Sequence, residues 1–191
     1  MRNLIEKNLN GWKILLLFAL TSIVYVIMLT VTIPYLLSCS GGMQILDMMP
    51  TGYSPRYVNS LFVGLGEIGR NAYLNDQLPM DTIYPLLFGV TYCLMLAYFI
   101  KKLGKLEGNL FYVCYLPVFA GLFDYCENIG IITMLRTYPN NLDIIAQVTN
   151  VFSILKSVLS SASFISLIII VVIWSLKAAF GKNKLTGNFA K

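Results

Sequence analysis

Four segments of this sequence are each long and apolar enough to cross a lipid bilayer as a helix. A spanning helix needs about 20 predominantly apolar residues, and the segments cover residues 12–38, 81–100, 110–135 and 143–178. Only 12% of the residues are charged, against roughly 25% in a soluble domain, so the chain lacks the polar surface that water requires. The sequence therefore predicts an all-α integral membrane protein, a four-helix bundle in which residues 1–191 form a single polytopic membrane domain.

Basic residues are concentrated in alternate connections of the chain, and cytoplasmic connections carry an excess of Lys and Arg. The loop between the first two segments has only Arg56 and Arg70, and the loop before the fourth segment has only Arg136. Both termini are therefore predicted to be cytoplasmic. The net charge of +5 reflects this bias, so no nucleic-acid partner is expected. The predicted cytoplasmic basic residues are Arg2, Lys7, Lys13, Lys101, Lys102, Lys105, Lys177, Lys182, Lys184 and Lys191.

The loop between the first two segments contains the sequence GLGEIG at residues 64–69, which has the G-x-G-x-x-G spacing of dinucleotide-binding loops. That fingerprint works between a strand and a helix of a βαβ unit. Such a unit cannot be built between two spanning helices, so no NAD is expected. Ser54 and Pro55 are instead residue types that begin a helix. Polar and apolar residues then separate onto two faces, which predicts an amphipathic helix over residues 55–74 on the extracytoplasmic side.

Histidine is absent from the sequence, and this absence excludes several classes of site. His-ligated haem, His-containing zinc sites and a histidine general base all require it, so no haem is expected. The four cysteines contain no C-x-x-C pair, which argues against a thiol–disulfide oxidoreductase. The residues before Cys39 resemble a bacterial lipobox, so lipidation of Cys39 is an alternative to a spanning first helix.

Charged side chains inside spanning helices are costly and therefore indicate function. In the third segment Asp124 and Glu127 lie three residues apart, so they share one face of the helix. A helix rises about 1.5 Å per residue, so residue counts give the depth of each polar residue in the membrane. Polar residues of the second and fourth segments are predicted at about the depth of Asp124 and Glu127, beneath the amphipathic helix. The predicted ligand-binding or proton-relay residues are Asp124, Glu127, Asn128, Tyr92, Asp81, Lys156, Glu67 and Arg70, with no metal.

This predicted pocket contains four acidic residues and two basic ones. An excess of acid in a low-dielectric site must be protonated, hydrated or matched by a bound cation. The leading hypothesis is therefore an outward-opening intramembrane pocket that binds or transports a cation, a proton or a small polar or cationic ligand. Four helices are few for a complete carrier, so the expected partners are membrane lipid and either further copies of the chain or other membrane subunits.

Two other functions fit the same residues. Paired carboxylates could transfer protons to and from a lipid or isoprenoid substrate, which would make the protein an intramembrane enzyme. A divalent metal held by Asp124, Glu127 and Asp81 would instead support phosphoryl chemistry on a lipid headgroup. The third function is that of an accessory or assembly subunit, whose polar cluster only specifies packing.

Several of the predicted site residues also have a structural interpretation, which for Asp124 and Glu127 is a salt-bridge or hydrogen-bond network. Asp81 lies where the second segment begins and would serve as a helix N-cap, with Pro85 in the tolerated first turn. Glu67 and Arg70 would form an ordinary surface pair three residues apart. Lys156 would extend its side chain to the lipid headgroups.

Overall fold

The computed structural model describes residues 2–140 and 142–186, and every regular element in them is helical. Four helices are long and apolar enough to span a membrane: Gly11–Cys39, Pro55–Lys102, Asn109–Thr137 and Asp143–Phe180. We call them spans 1 to 4. The predicted all-α fold, with four helices long and apolar enough to span a membrane, is confirmed in the described residues. A short helix, Arg2–Lys7, precedes span 1.

Span 1 consists of two α-helices joined by a π-helical turn. The first helix, Gly11–Ile27, begins after Asn10, whose Oδ1 accepts a hydrogen bond of 2.9 Å from the Trp12 backbone N–H. The second helix, Ile33–Cys39, has Pro34 at its start. Proline lacks an N–H donor and crowds the preceding turn, which accounts for the π-helical segment Met28–Thr32 directly before it.

Span 2 is longer than the sequence predicts because no loop separates its two helices. The helical segment Pro55–Ala72, which is kinked at Gly66 (φ 60°), continues through a π-helical segment, Tyr73–Gln77, into the helix Leu78–Lys102. Asp81 and Pro85 therefore lie inside a continuous helix. The N-cap interpretation of Asp81 and the first-turn position of Pro85 are wrong, because the backbone donors of this region already belong to the helix.

Two glycines let the spans approach closely. A Cβ atom on Gly121 of span 3 would lie 2.6 Å from the Pro85 carbonyl oxygen of span 2. A Cβ atom on Gly130 would collide with the Thr149 side chain of span 4. Small residues at such contacts allow the backbones of membrane helices to pack tightly, so span 3 is held between its two neighbours.

The apolar core is divided into two clusters, one at each end of the bundle. The loop-side cluster includes Leu46, Leu78, Ile131 and Ala146, and the basic-end cluster includes Ile5, Cys93, Cys114 and Ile170. Along each of spans 2, 3 and 4, buried polar residues lie between the two clusters. These polar residues are Asp81, Thr91, Asp124, Glu127, Asn128, Thr149, Ser153 and Ser163.

Candidate functional site

A cavity of about 250 Å³ lies in the polar layer and is lined by all four spans. Its apolar walls include Met28 of span 1, Ala120 of span 3 and Phe164 of span 4. Its cover comes from the loop between spans 1 and 2, through Asp47, Met48 and Pro50. The polar residues that line it are Asp47, Gln77, Asp81, Tyr84, Asp124, Lys156, Ser157, Ser160 and Ser161.

Lys156 forms the only ion pairs that contact this cavity in the described residues. Its Nζ atom lies 3.0 Å from Asp124 Oδ1 and 2.5 Å from Glu127 Oε2. The Lys156 side chain is 14% exposed and that of Glu127 is completely buried. Lys156 therefore points into the bundle. Its structural interpretation, in which the side chain extends to the lipid headgroups, does not hold in this structure. A buried carboxylate needs such a partner because its desolvation costs several kcal/mol.

Asp81 and Asn128 are brought together by the packing of span 3 on span 2. Asn128 Nδ2 donates a hydrogen bond of 2.8 Å to the Asp81 backbone carbonyl. Asp81 is 3% exposed, and its Oδ2 atom has no hydrogen-bond partner among the described residues. Glu127 Oε1 and Asn128 Oδ1 are also buried without a partner in this part of the chain. Buried polar atoms nearly always have one. Of these three residues only Asp81 lines the cavity, so its Oδ2 atom could accept a hydrogen bond from water or a ligand there.

Asp47 is a site residue that the sequence analysis missed. It lies in a short 3₁₀ helix, Leu46–Met48, and accepts a hydrogen bond of 2.9 Å from the Tyr73 hydroxyl. The residue is partly exposed, but its Oδ1 atom is buried. The pKa of Asp47 is raised to about 7, mainly by burial and then by the nearby Glu127 carboxyl group, while Lys156 and the hydrogen bond from Tyr73 lower it. The sequence feature that could have identified Asp47 is its position as an acidic residue within the apolar loop sequence ILDMM.

Glu67 and Arg70 do not join the site. Glu67 is exposed and lies outside the cavity lining. Arg70 Nη1 donates a hydrogen bond of 2.7 Å to the Phe62 carbonyl, and its guanidinium lies 4.5 Å from the centre of the Tyr138 ring. No residue of the helix Pro55–Ala72 lines the cavity, so the loop around Asp47 covers it instead. The structure therefore does not bring the charges of this helix to the cavity.

Aromatic rings form one wall of the cavity. Tyr25 of span 1 stacks on Tyr84 of span 2 at 5.4 Å, and Phe88 packs edge-on against Phe164 at 5.6 Å. Tyr92 lies behind this wall, 4.6 Å from the Phe88 ring, and does not line the cavity. It is therefore a supporting residue and not a ligand contact, contrary to its predicted role. Aromatic faces attract cations through their quadrupole.

The charges around the cavity are unbalanced. Asp47, Asp81 and Asp124 line it and Glu127 contacts Lys156 from behind, so four carboxyl groups surround one lysine. No three His, Cys, Asp or Glu side chains of the described residues are arranged to hold a metal ion, so the divalent-metal hypothesis gains no support. Comparisons with protein-family models, curated proteins and solved structures found no match to this chain.

Proposed function

We propose that this protein binds a small organic cation, such as a protonated amine, in the cavity between its four spans. The observation that carries the proposal is the excess of carboxyl groups over the single Lys156. A cationic ligand would supply the missing positive charge at a depth where water is scarce. It would also give Asp81 Oδ2, which has no partner among the described residues, a charged donor to accept from.

The size and walls of the cavity support an organic cation over a larger ligand. Its volume of about 250 Å³ lies below the roughly 300–1,000 Å³ of pockets for drug-sized molecules. The rings of Tyr25, Tyr84 and Phe88 line the same space as the acids. This combination of aromatic faces and carboxylates suits an alkylammonium group, whose charge and carbon atoms both find partners.

We also propose that both termini are cytoplasmic and that the cavity opens to the opposite side. The excess of Lys and Arg in the terminal segments and in the connection between spans 2 and 3 supports this orientation. In the same arrangement the first part of span 2, Pro55–Ala72, would lie at the outer membrane surface, and only its second part, Leu78–Lys102, would cross the membrane. Its buried residues Val58, Leu61, Phe62 and Leu65 support packing onto the bundle.

Thermal unfolding of the detergent-purified chain tests the binding proposal. The panel consists of small alkylamines, tetramethylammonium, sodium, potassium and an isoprenoid alcohol. We expect an amine to raise Tm of the wild type with increasing concentration. Asp81→Asn should fold and lose about tenfold or more in affinity, because a hydrogen bond to a charged group contributes about 1.5–3 kcal/mol. Asp76→Asn, which changes an exposed acid of span 2, is the matched control.

The other outcomes separate the competing functions. If no amine raises Tm of the wild type, even where sodium or potassium does, or if Asp81→Asn responds as the wild type does, the proposal fails. An enzyme acting on an apolar lipid is the second candidate, because Met28, Phe88 and Phe164 line the cavity beside the acids. Stabilisation by the isoprenoid alone would favour it. A loss of stability on Asp81→Asn, with no response of the wild type to any compound, would favour an accessory subunit.

A further inference from the structure

A second cavity, of about 420 Å³, lies at the opposite end of the bundle from the acidic one. The short N-terminal helix contributes Ile5, span 1 contributes Lys13, span 2 contributes Leu94, and span 3 contributes Val118. The remaining lining is predominantly apolar, so this cavity differs in chemistry from the acidic one. We call it the basic-end groove.

The basic-end groove continues along the outer surface of spans 2 and 3. A further cavity, of about 250 Å³, shares Val90 and Val118 with it and extends to Leu122 and Tyr125. Along span 2 the combined groove runs from Leu94 to Leu86, which is about 12 Å at 1.5 Å per residue. Val90 is 43% exposed and Leu86 is 60% exposed, so this surface faces the lipid. Its elongated apolar shape suits a hydrocarbon chain.

The mouth of the groove lies at the most basic part of the molecule. Lys13 lines the groove, is exposed, and forms no ion pair among the described residues. Arg2, by contrast, is engaged by Glu6 and by the Leu106 carbonyl. The acidic residues at this end of the bundle are Glu6 and Glu107. They only partly offset the basic residues of the N-terminal segment, of the connection between spans 2 and 3, and of the end of span 4. The basic residues at this end are Arg2, Lys7, Lys13, Lys101, Lys102, Lys105 and Lys177.

We propose that the basic-end groove binds one anionic phospholipid, with an acyl chain along spans 2 and 3 and its phosphate at Lys13. Basic pockets between membrane helices favour anionic headgroups, since each lysine near the surface attracts them. A zwitterionic lipid would fill the same groove with its acyl chain, but its net charge of zero would gain less from the lysine. This site shares no lining residue with the acidic cavity, so it stands independently of the proposed cation binding.

Lipid retention by the purified full-length chain tests the proposal. The protein in mild detergent is incubated with equal amounts of phosphatidylglycerol and phosphatidylcholine of the same acyl chains, and bound lipid is counted by native mass spectrometry. We expect one phosphatidylglycerol to be retained in preference to phosphatidylcholine. Lys13→Gln should lower this preference roughly fivefold. Lys177→Gln removes a charge at the same end but outside the groove, and should leave the preference unchanged.

Filling the groove tests the acyl-chain part of the proposal. Val118→Trp should abolish retention of both lipids, whereas Ile168→Trp on the lipid-facing side of span 4, where Ile168 is 63% exposed, should not. Val90→Trp places the same obstruction on span 2 if Val118→Trp does not fold. Equal retention of the two lipids by the wild type would overturn the proposal. So would equal effects of Lys13→Gln and Lys177→Gln, or unchanged retention in both tryptophan variants of the groove.

Discussion

Two lysines face two cavities of this protein in opposite ways. Lys156 is buried, contacts Asp124 and Glu127, and is surrounded by more carboxyl groups than it can neutralise. Lys13 is exposed beside an apolar groove and has no acidic partner in the described part of the chain. The same residue type therefore holds a structure together at one end and leaves a charge available at the other. The comparison shows that the burial of a lysine and its acidic partners, more than the residue type, decide whether its charge stabilises the fold or remains available for a ligand.

The largest expected effect comes from removing the buried lysine. Lys156→Met leaves Asp124 and Glu127 without a cation, and breaking a buried pair costs about 3–5 kcal/mol of unfolding free energy. Lys13→Met, at an exposed position, should change it by no more than about 0.5 kcal/mol. Thermal unfolding of both variants in the same detergent measures the contrast.

The double variant Lys156→Met with Glu127→Gln checks the cause of that loss. It should recover part of the lost stability, because one of the two stranded carboxylates becomes neutral. Equal melting temperatures for Lys156→Met and Lys13→Met would remove the distinction between the two lysines.

A smaller effect should appear in the pH dependence of stability through Asp47. Its pKa is raised to about 7 by burial, above the ordinary value of 3.8, so between these pH values the folded state binds more protons than the unfolded state. Stability therefore falls as pH rises from about 4 to 7. Asp47→Asn should reduce the decrease in unfolding free energy between these pH values by about 1–2 kcal/mol. This is less than a fully buried carboxyl group would give, because Asp47 is partly exposed to solvent.

Melting temperatures of the wild type and Asp47→Asn between pH 4 and 8 measure this difference. The exposed Asp76 provides the control through Asp76→Asn, which should keep the wild-type slope. An Asp47→Asn variant with the same slope as the wild type would show that this carboxyl does not belong to the buried acidic region.

The smallest expected effect on stability comes from a hydrogen bond that lies between the acidic cavity and the basic-end groove. Thr21 Oγ1 and Thr91 Oγ1 are 2.9 Å apart and join span 1 to span 2. Thr91→Val should cost about 0.6 kcal/mol, the average found for side-chain hydrogen bonds between membrane helices. Thr21 still donates to the Leu17 carbonyl, so no buried hydroxyl loses its last partner.

The measurement for this boundary is a double-variant cycle with Thr21→Val in thermal unfolding. Thr133→Val, whose hydroxyl bonds only within its own helix, to the Ile129 carbonyl, is the control. A coupling energy near zero between Thr21 and Thr91 would show that this hydrogen bond does not stabilise the contact between spans 1 and 2.

The sequence by itself determined the four spans and the shared face of Asp124 and Glu127. Both depend on local information, since hydropathy is summed over about 20 neighbours and the helical repeat fixes which residues share a face. The residues around 64–69 also predicted a helix between two spans, without the preceding strand that a dinucleotide site needs. The orientation and the proposed functions remain predictions that local patterns support.

Only the tertiary structure decided which charges meet. Asp47 reaches the cavity, and Arg70 turns away toward Tyr138, because the path of the loop between spans 1 and 2 sets both positions. Lys156 has a side chain long enough to reach either the headgroups or the acids, and the packing of span 4 against span 3 selects the acids. Helix periodicity is set within a few residues, whereas ion pairs join residues far apart in the chain, so only the packed bundle determines them.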